Sequence, residues 1–174
     1  MPKFAEKEII GGGWSLNEPT FITDRMLGKL TTWLRIFGYD VLYVGDLKIG
    51  GDEDNYLLNN HKNRILLTKD RELYRKSVKG NRKAILIRSN DVAEQLMELK
   101  TLIKFQPVMD RCSVCNTPLR KPNKDEIKDF LEREGIKEDL AERYEVWYCE
   151  KCRKLYWMGG HWKNMIKFLE KLKD

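Results

Sequence analysis

Four cysteines, Cys112, Cys115, Cys149 and Cys152, fall as two C-x2-C pairs separated by 33 residues. Each pair is short enough to form one knuckle presenting two sulfurs to a single ion, and two knuckles supply the four ligands of tetrahedral Zn2+. One structural zinc per chain, held by those four residues, is therefore expected. Two disulfides or a redox C-x-x-C are the competing readings. The duplicated pair, and the lack of an apolar secretory leader in the first twenty residues, favour the metal. Strand-like stretches at 144–148 and 154–158 surround the second pair, and the turn formers Asn116 and Pro118 follow the first, so the region reads as a zinc ribbon. The spacer is longer than a ribbon needs. Within it Ile127, Phe130, Leu131 and Ile136 recur at helical spacing, which predicts an inserted helix.

Upstream, the hydrophobic period switches repeatedly between 2 and 3.6. A short strand ending in Phe21, Ile22 and Thr23 precedes a helix opened by Asp24, with Met26, Leu27, Leu30, Trp33, Leu34 and Phe37 on its apolar stripe and Gly38 at its end. Strands follow at 39–44, 64–68 and 84–88, with helices at 52–62, 70–78 and 92–100. That rhythm predicts right-handed crossovers and a mainly parallel sheet flanked by helices. The fold class is α/β with a C-terminal four-cysteine ribbon, divided as an extension over 1–19, the α/β domain over 20–105, and the ribbon with its insertion and a final helix over 106–174.

The acids take on meaning in this frame. Asp24, Asp46, Asp70 and Asp91 each follow a strand, and Asp52 opens the intervening helix, so the carboxyl edge of the sheet should gather several of them. Crowded carboxylates repel unless a hard cation neutralises them, and Mg2+ or Mn2+ is the usual occupant. Each Asp also suits a plain helix N-cap. The chain carries 33 Lys and Arg against 27 Asp and Glu, a formal charge of +6, which leans toward an anionic partner. Between 69 and 88, Lys69, Arg71, Arg75, Lys76, Lys79, Arg82, Lys83 and Arg88 face only Asp70 and Glu72. This run is either a solvated surface or a track for phosphates, on which Lys69, Arg71, Arg75 and Lys79 are the expected phosphate contacts. No run of about 18 apolar residues occurs, so no membrane partner and a cytoplasmic location are expected.

The segments 21–46 (FITDRMLGKLTTWLRIFGYDVLYVGD), 64–73 (RILLTKDREL), 88–95, 111–119 and 144–162 (YEVWYCEKCRKLYWMGGHW) resemble, in order and spacing, the Mut-seven C-terminal RNase domain family. The D-x-M-L-G-x-L and Y-W-x-G-x-H-W motifs carry the resemblance, which covers about residues 20–170. It implies a PIN-like nuclease domain followed by a zinc ribbon, with metal-dependent RNA cleavage as the activity. Carried over by motif, Asp24, Asp70 and Asp52 are the Mg2+ or Mn2+ ligands and Asp46 a further catalytic acid. After Asp52 the chain reads Glu53-Asp54-Asn55, which departs from the family helix and leaves Asp52, Glu53 and Asp54 as alternatives for the inward position.

His61 and His161 are the only histidines. His61 reads as a surface residue, and His161 as a packing or helix-entry residue or a phosphate contact. Trp147, Tyr148, Tyr156, Trp157 and Trp162 are expected to form the small ribbon core, with one or two rings left to stack on bases. The leading function is a metal-dependent endoribonuclease leaving 5′-phosphate and 3′-hydroxyl ends. The alternatives are a non-catalytic RNA-binding module, or an adaptor that docks to a ribonucleoprotein or ribosomal particle through the ribbon.

Overall fold

The structure, a computed structural model, describes residues 19–172. The extension expected over 1–19 lies outside the described residues except for Pro19. Four parallel strands, β1 (Phe21–Thr23), β2 (Val41–Tyr43), β3 (Ile65–Thr68) and β4 (Ala84–Leu86), form a sheet in the order β2-β1-β3-β4. The central strands β1 and β3 are buried at every residue, as a sheet covered on both faces requires. Alternate side chains serve opposite cores. Phe21, Ile65 and Leu67 join Leu27, Leu30, Leu34, Leu96 and Leu99 on the face covered by α1 (Gly28–Ile36) and α4 (Val92–Glu98). Ile22 and Leu66 meet Leu57 and Leu73 on the face covered by α2 (Glu53–Asn59) and α3 (Arg71–Lys79).

The helix entered from Asp24 starts differently from expectation. Its first turn, Arg25–Leu27, is a 3-10 turn, which rotates Met26 off the apolar stripe and leaves it 68% exposed while Leu27 is buried. Gly38 ends the approach to β2 at φ 85°, and a Cβ there would stand 2.6 Å from Val108, so only glycine lets the later segment pack across this turn.

The inserted helix α5 (Lys124–Glu134) is present, with a capping box between Asn123 and Glu126, and a short helix α6 (Leu140–Arg143) follows it. The antiparallel hairpin of β5 (Val146–Cys149) and β6 (Lys154–Trp157) is the ribbon. Its own core is small: Phe130, Leu140, Val146, Tyr148 and Leu155. The last helix, α7 (Gly160–Lys171), leaves the ribbon and returns to the α/β part, where Leu169 is buried in the first core and Phe168 stacks on Trp33 at 5.0 Å.

Polar ties fasten the first knuckle to α1 and β2. Arg35, 3% exposed, donates to the carbonyls of Val41 (3.1 and 3.0 Å) and Val114 (2.6 Å). Asn116 accepts from Val41 N at 3.1 Å and donates to Asp40 Oδ1 at 2.7 Å, and Arg64 donates to Asp40 at 2.8 and 2.9 Å. Burial pushes the Asp40 carboxyl upward, but the hydrogen bonds from Arg64 and Asn116 and the charges of Arg64 and Arg111 outweigh it and hold the group below the ordinary Asp value. A depressed carboxylate contributes stability above its unfolded pKa and loses it as pH falls through the folded one. Asp40→Asn should therefore cost about 1–2 kcal/mol at neutral pH, with the deficit closing below about pH 4. Thermal unfolding of both proteins against pH checks this. A deficit that stays constant into acid would mean the charge contributes nothing.

Candidate functional site

The chain leaves β1 toward one face of the sheet and β3 toward the other, so the crevice at their carboxyl ends is the topological switch point of this strand order. Asp24 sits across it. Its Oδ1 accepts from Met26 N at 2.9 Å, and its Oδ2 from Thr68 Oγ1 at 2.6 Å and Lys69 N at 2.8 Å, so a residue after β1 is clamped to the end of β3. Thr68 Oγ1 also accepts from Asp70 N at 3.0 Å. The threonine of the T-x-D motif thus sets Asp24 and Asp70 relative to each other, a role the sequence reading did not assign to it.

Asp70 and Asp52 cap α3 and α2. In both, Oδ1 accepts the two capping bonds, from Glu72 N and Leu73 N for Asp70 and from Asp54 N and Asn55 N for Asp52, and Oδ2 takes no part in the cap. Of the three alternatives on α2, Glu53 is taken by an ion pair with Arg25. Asp54 is exposed and feels the charges of the other acids. Partial desolvation raises its pKa, the charges of Asp70, Asp52 and Asp24 raise it further, and Lys76 partly opposes them. Asp46 is engaged by Arg35 at 3.1 Å, and Asp91 caps α4 through Ala93 N and Glu94 N. Neither is among the groups acting on Asp54.

The glycine of D-x-M-L-G has a local cause. Tyr43 donates from its hydroxyl to Arg25 O at 2.9 Å, and its ring lies over Gly28, where a Cβ would stand 3.3 Å from that hydroxyl. The 3-10 turn carrying Asp24 is thereby held against β2.

The basic run divides. Arg71, Arg75 and Lys79 are exposed on α3 at i, i+4 and i+8, and Lys69 points its ammonium at Asn90. Arg75 and Lys76 both pair with Glu72. Arg82 is not part of any surface. It is 6% exposed and donates to the carbonyls of Leu57, Asn60 and His61, closing the end of α2. If the α3 face tracks a phosphate backbone, Arg75→Glu with Lys79→Glu should weaken single-stranded RNA binding and flatten the log K against log salt slope by about 1.4, at about 0.7 per lost phosphate contact. A titration across salt concentrations reads this directly, and an unchanged slope would leave those side chains as solvated surface.

In the ribbon the four cysteine sulfurs all lie within 4.8 Å of one another. Both knuckles have the same construction: Cys115 N donates to Cys112 Sγ at 3.4 Å and Cys152 N to Cys149 Sγ at 3.3 Å, and the next residue, Asn116 or Arg153, turns into the left-handed region at φ 68° or 52°. Burial raises Cys149 to about 11 and also raises Cys152. For Cys115, hydrogen bonds with Thr117 outweigh burial and lower it to about 6. Four sulfurs this close cannot all be thiolates without a cation, and an all-sulfur tetrahedral set suits zinc, so these residues could bind it. Tyr156 places its hydroxyl 3.0 Å from Cys112 Sγ.

Among the described residues, the cysteines are the group whose ligand atoms meet this closely. His61 is half-buried against Tyr56, Nε2 to hydroxyl 2.9 Å, and burial with the charges of Arg64 and Arg82 lowers its pKa. His161 is exposed. Trp147 lies beneath the Lys121 ammonium at 4.0 Å, and Tyr148 is buried. Among the described residues no helix is long and apolar enough to cross a membrane.

Fold and site together define a parallel α/β protein with acids gathered at its switch point and an attached four-cysteine ribbon. The chain belongs to the Mut7-C RNAse domain family, whose family model matches residues 19–169. That membership gives it a ribonuclease-related role with RNA as the implied substrate class. No curated protein and no solved structure gives a significant match.

Proposed function

We propose that this protein is a metal-dependent endoribonuclease that hydrolyses RNA phosphodiester bonds at the carboxyl edge of its sheet, with a zinc ribbon as a second, structural metal centre. The observation that supports it most is geometric: Asp24 is clamped across β1 and β3 and tied through Thr68 to Asp70, while Asp52 and Asp70 cap the two helices that start at the same edge. Asp24 and Asp70, with Asp52 or Asp54, would hold Mg2+ or Mn2+. A cation there supplies charge neutralisation for the phosphodiester and activation of water for in-line attack. The chain's own contribution is orientation. Three hydrogen bonds fix Asp24 before any substrate arrives, and the caps at Asp52 and Asp70 fix one oxygen and leave the other for the cation. Asp46, held by Arg35, would act as an outer acid of the same edge. Lys69, Arg71, Arg75 and Lys79 would bind the phosphates on either side.

A second reading, RNA binding without cleavage, draws on the capping duty of these same acids. A third has the ribbon dock to a ribonucleoprotein or ribosomal particle. End mapping of RNA incubated with the zinc-loaded protein and Mn2+ tests the first. New 5′-phosphate and 3′-hydroxyl ends are expected. Cyclic phosphate ends would point to attack by the 2′-hydroxyl instead, and intact RNA that stays bound would favour the second reading.

A further inference from the structure

Between the ribbon hairpin, α5 and the start of α7 lies a cavity of about 490 Å3 that the acidic edge does not use. Each fixed position of the Y-W-x-G-x-H-W motif, Tyr156, Trp157, Gly159, His161 and Trp162, is on its wall. Met158, at a free position of the motif, is not on that wall and is exposed. Trp157 also packs against the ribbon core, so the motif both supports the wall and leaves open space in front of it.

The wall is held in place from behind. Trp157 packs edge-on against Phe130, with ring centres 6.4 Å apart. It also lies so close to the turn that a Cβ at Gly159 would be 2.6 Å from its indole nitrogen, which explains the glycine. Tyr156 is anchored by Cys112 Sγ at 3.0 Å and by Ser113 Oγ at 3.4 Å, so this wall is tied to the four-cysteine site. The charge around the cavity is cationic. Arg111 and Lys154 contribute to it, and its single acid, Glu134, pairs with Arg133 at 3.3 Å. Arg111 donates to the Asn116 carbonyl at 3.0 Å and has its nearest carboxylate, Asp40, at 3.9 Å, so its charge is not fully neutralised.

We infer that this cavity receives one unpaired nucleobase of a bound RNA, stacked against the motif aromatics, with the adjoining phosphate at Arg111 and Lys154. The inference rests on the RNA reading above and adds to it a second site, where the ribbon meets the end of α1. The volume falls within the roughly 300–1,000 Å3 of small-ligand pockets. Tryptophan and tyrosine offer broad faces with polar edges, which a base can use and a purely aliphatic side chain cannot. The cationic rim complements a phosphate.

Gly160 lines the cavity, and nothing lies within 4 Å of where its Cβ would stand, so bulk added there occupies free volume without displacing a neighbour. The test uses the full zinc-loaded chain, without Mg2+ or Mn2+ so that RNA stays intact, and a single-stranded RNA of about twelve nucleotides, within the range of site sizes for such binders. Gly160→Leu should weaken binding about tenfold, the scale of one lost base stack, with zinc content and melting temperature unchanged. Lys154→Ala should weaken it less and flatten the salt dependence. A nucleoside monophosphate should quench tryptophan fluorescence in the wild type and not in Gly160→Leu. Wild-type binding that survives Gly160→Leu unchanged overturns the cavity inference and leaves the RNA reading standing. Absence of RNA binding by the wild type overturns both. Occupancy by an aromatic peptide with no response to the nucleotide assigns the cavity to a protein segment and overturns the inference.

Discussion

Asp70→Asn is expected to lower Mn2+-dependent RNA cleavage by at least about a hundredfold at unchanged stability, and Asp24→Asn to remove the same activity while also destabilising the fold. The difference comes from what each carboxylate already does. Asp70 uses one oxygen to cap α3, and asparagine caps as well as aspartate, so the fold keeps its bond while the edge loses a charge. Asp24, 7% exposed, accepts backbone N–H groups on both oxygens, from Met26 and from Lys69. An amide has one accepting oxygen, so whichever way it turns its NH2 faces a donor, leaving a buried N–H unpaired at about 1–3 kcal/mol. Cleavage rates and melting curves of the two variants side by side decide the matter. Equal stability would show that the three bonds to Asp24 are not formed, and undiminished cleavage by both would move the chemistry elsewhere.

Cys149→Ser should have the largest effect on stability, and it should reach beyond the ribbon. The ribbon core is five buried side chains, too few to stand without a metal whose binding is worth roughly 10–16 kcal/mol in comparable small sites. Its collapse would strip Arg35 of the Val114 carbonyl and Val41 N of Asn116, and would release the turn that delivers Leu169 into the first core. A single cooperative transition, lowered by about 10 °C or more, is expected rather than loss of one part with the other intact, since each kcal/mol is worth about 2–4 °C at this size. Metal analysis and calorimetry of wild type and variant check it. Wild-type protein free of zinc, or an α/β transition unmoved by the substitution, would show that the parts stand independently.

Much of the architecture was legible because it is written locally. The C-x2-C spacing needs only a tight turn, and the alternation of periods 2 and 3.6 needs only neighbours in sequence, so the knuckles and the strand and helix order follow from short windows. Ends were harder. The helix expected over 52–62 stops at Asn59, where Arg82, over twenty residues later, closes it. Arg82 was counted among the surface cations because nothing in the run 69–88 separates it from Arg75. Only the packing of α3 and β4 beside α2 turns it inward. Asp24, Asp46, Asp70 and Asp91 do follow the four strands, but the burial of Asp24 depends on the pairing of β1 with β3, and Glu53 is claimed by Arg25 from across the sheet edge. The cavity was illegible altogether, since it depends on the angle at which α5 and α7 leave the ribbon.

Arg35 lies 79 residues before the Val114 carbonyl that accepts from its guanidinium. On a chain emerging from the ribosome, β1 to β4 with α1 to α4 are complete before that carbonyl exists, so the nascent sheet carries a buried cation with part of its hydrogen bonding missing. In the finished fold that bond is made, and Leu169 of α7 closes the first core beside α1. Synthesis order thus makes the first knuckle a late addition: the carbonyl and amide that complete the polar ties of α1 and β2 come from a segment made after the whole sheet.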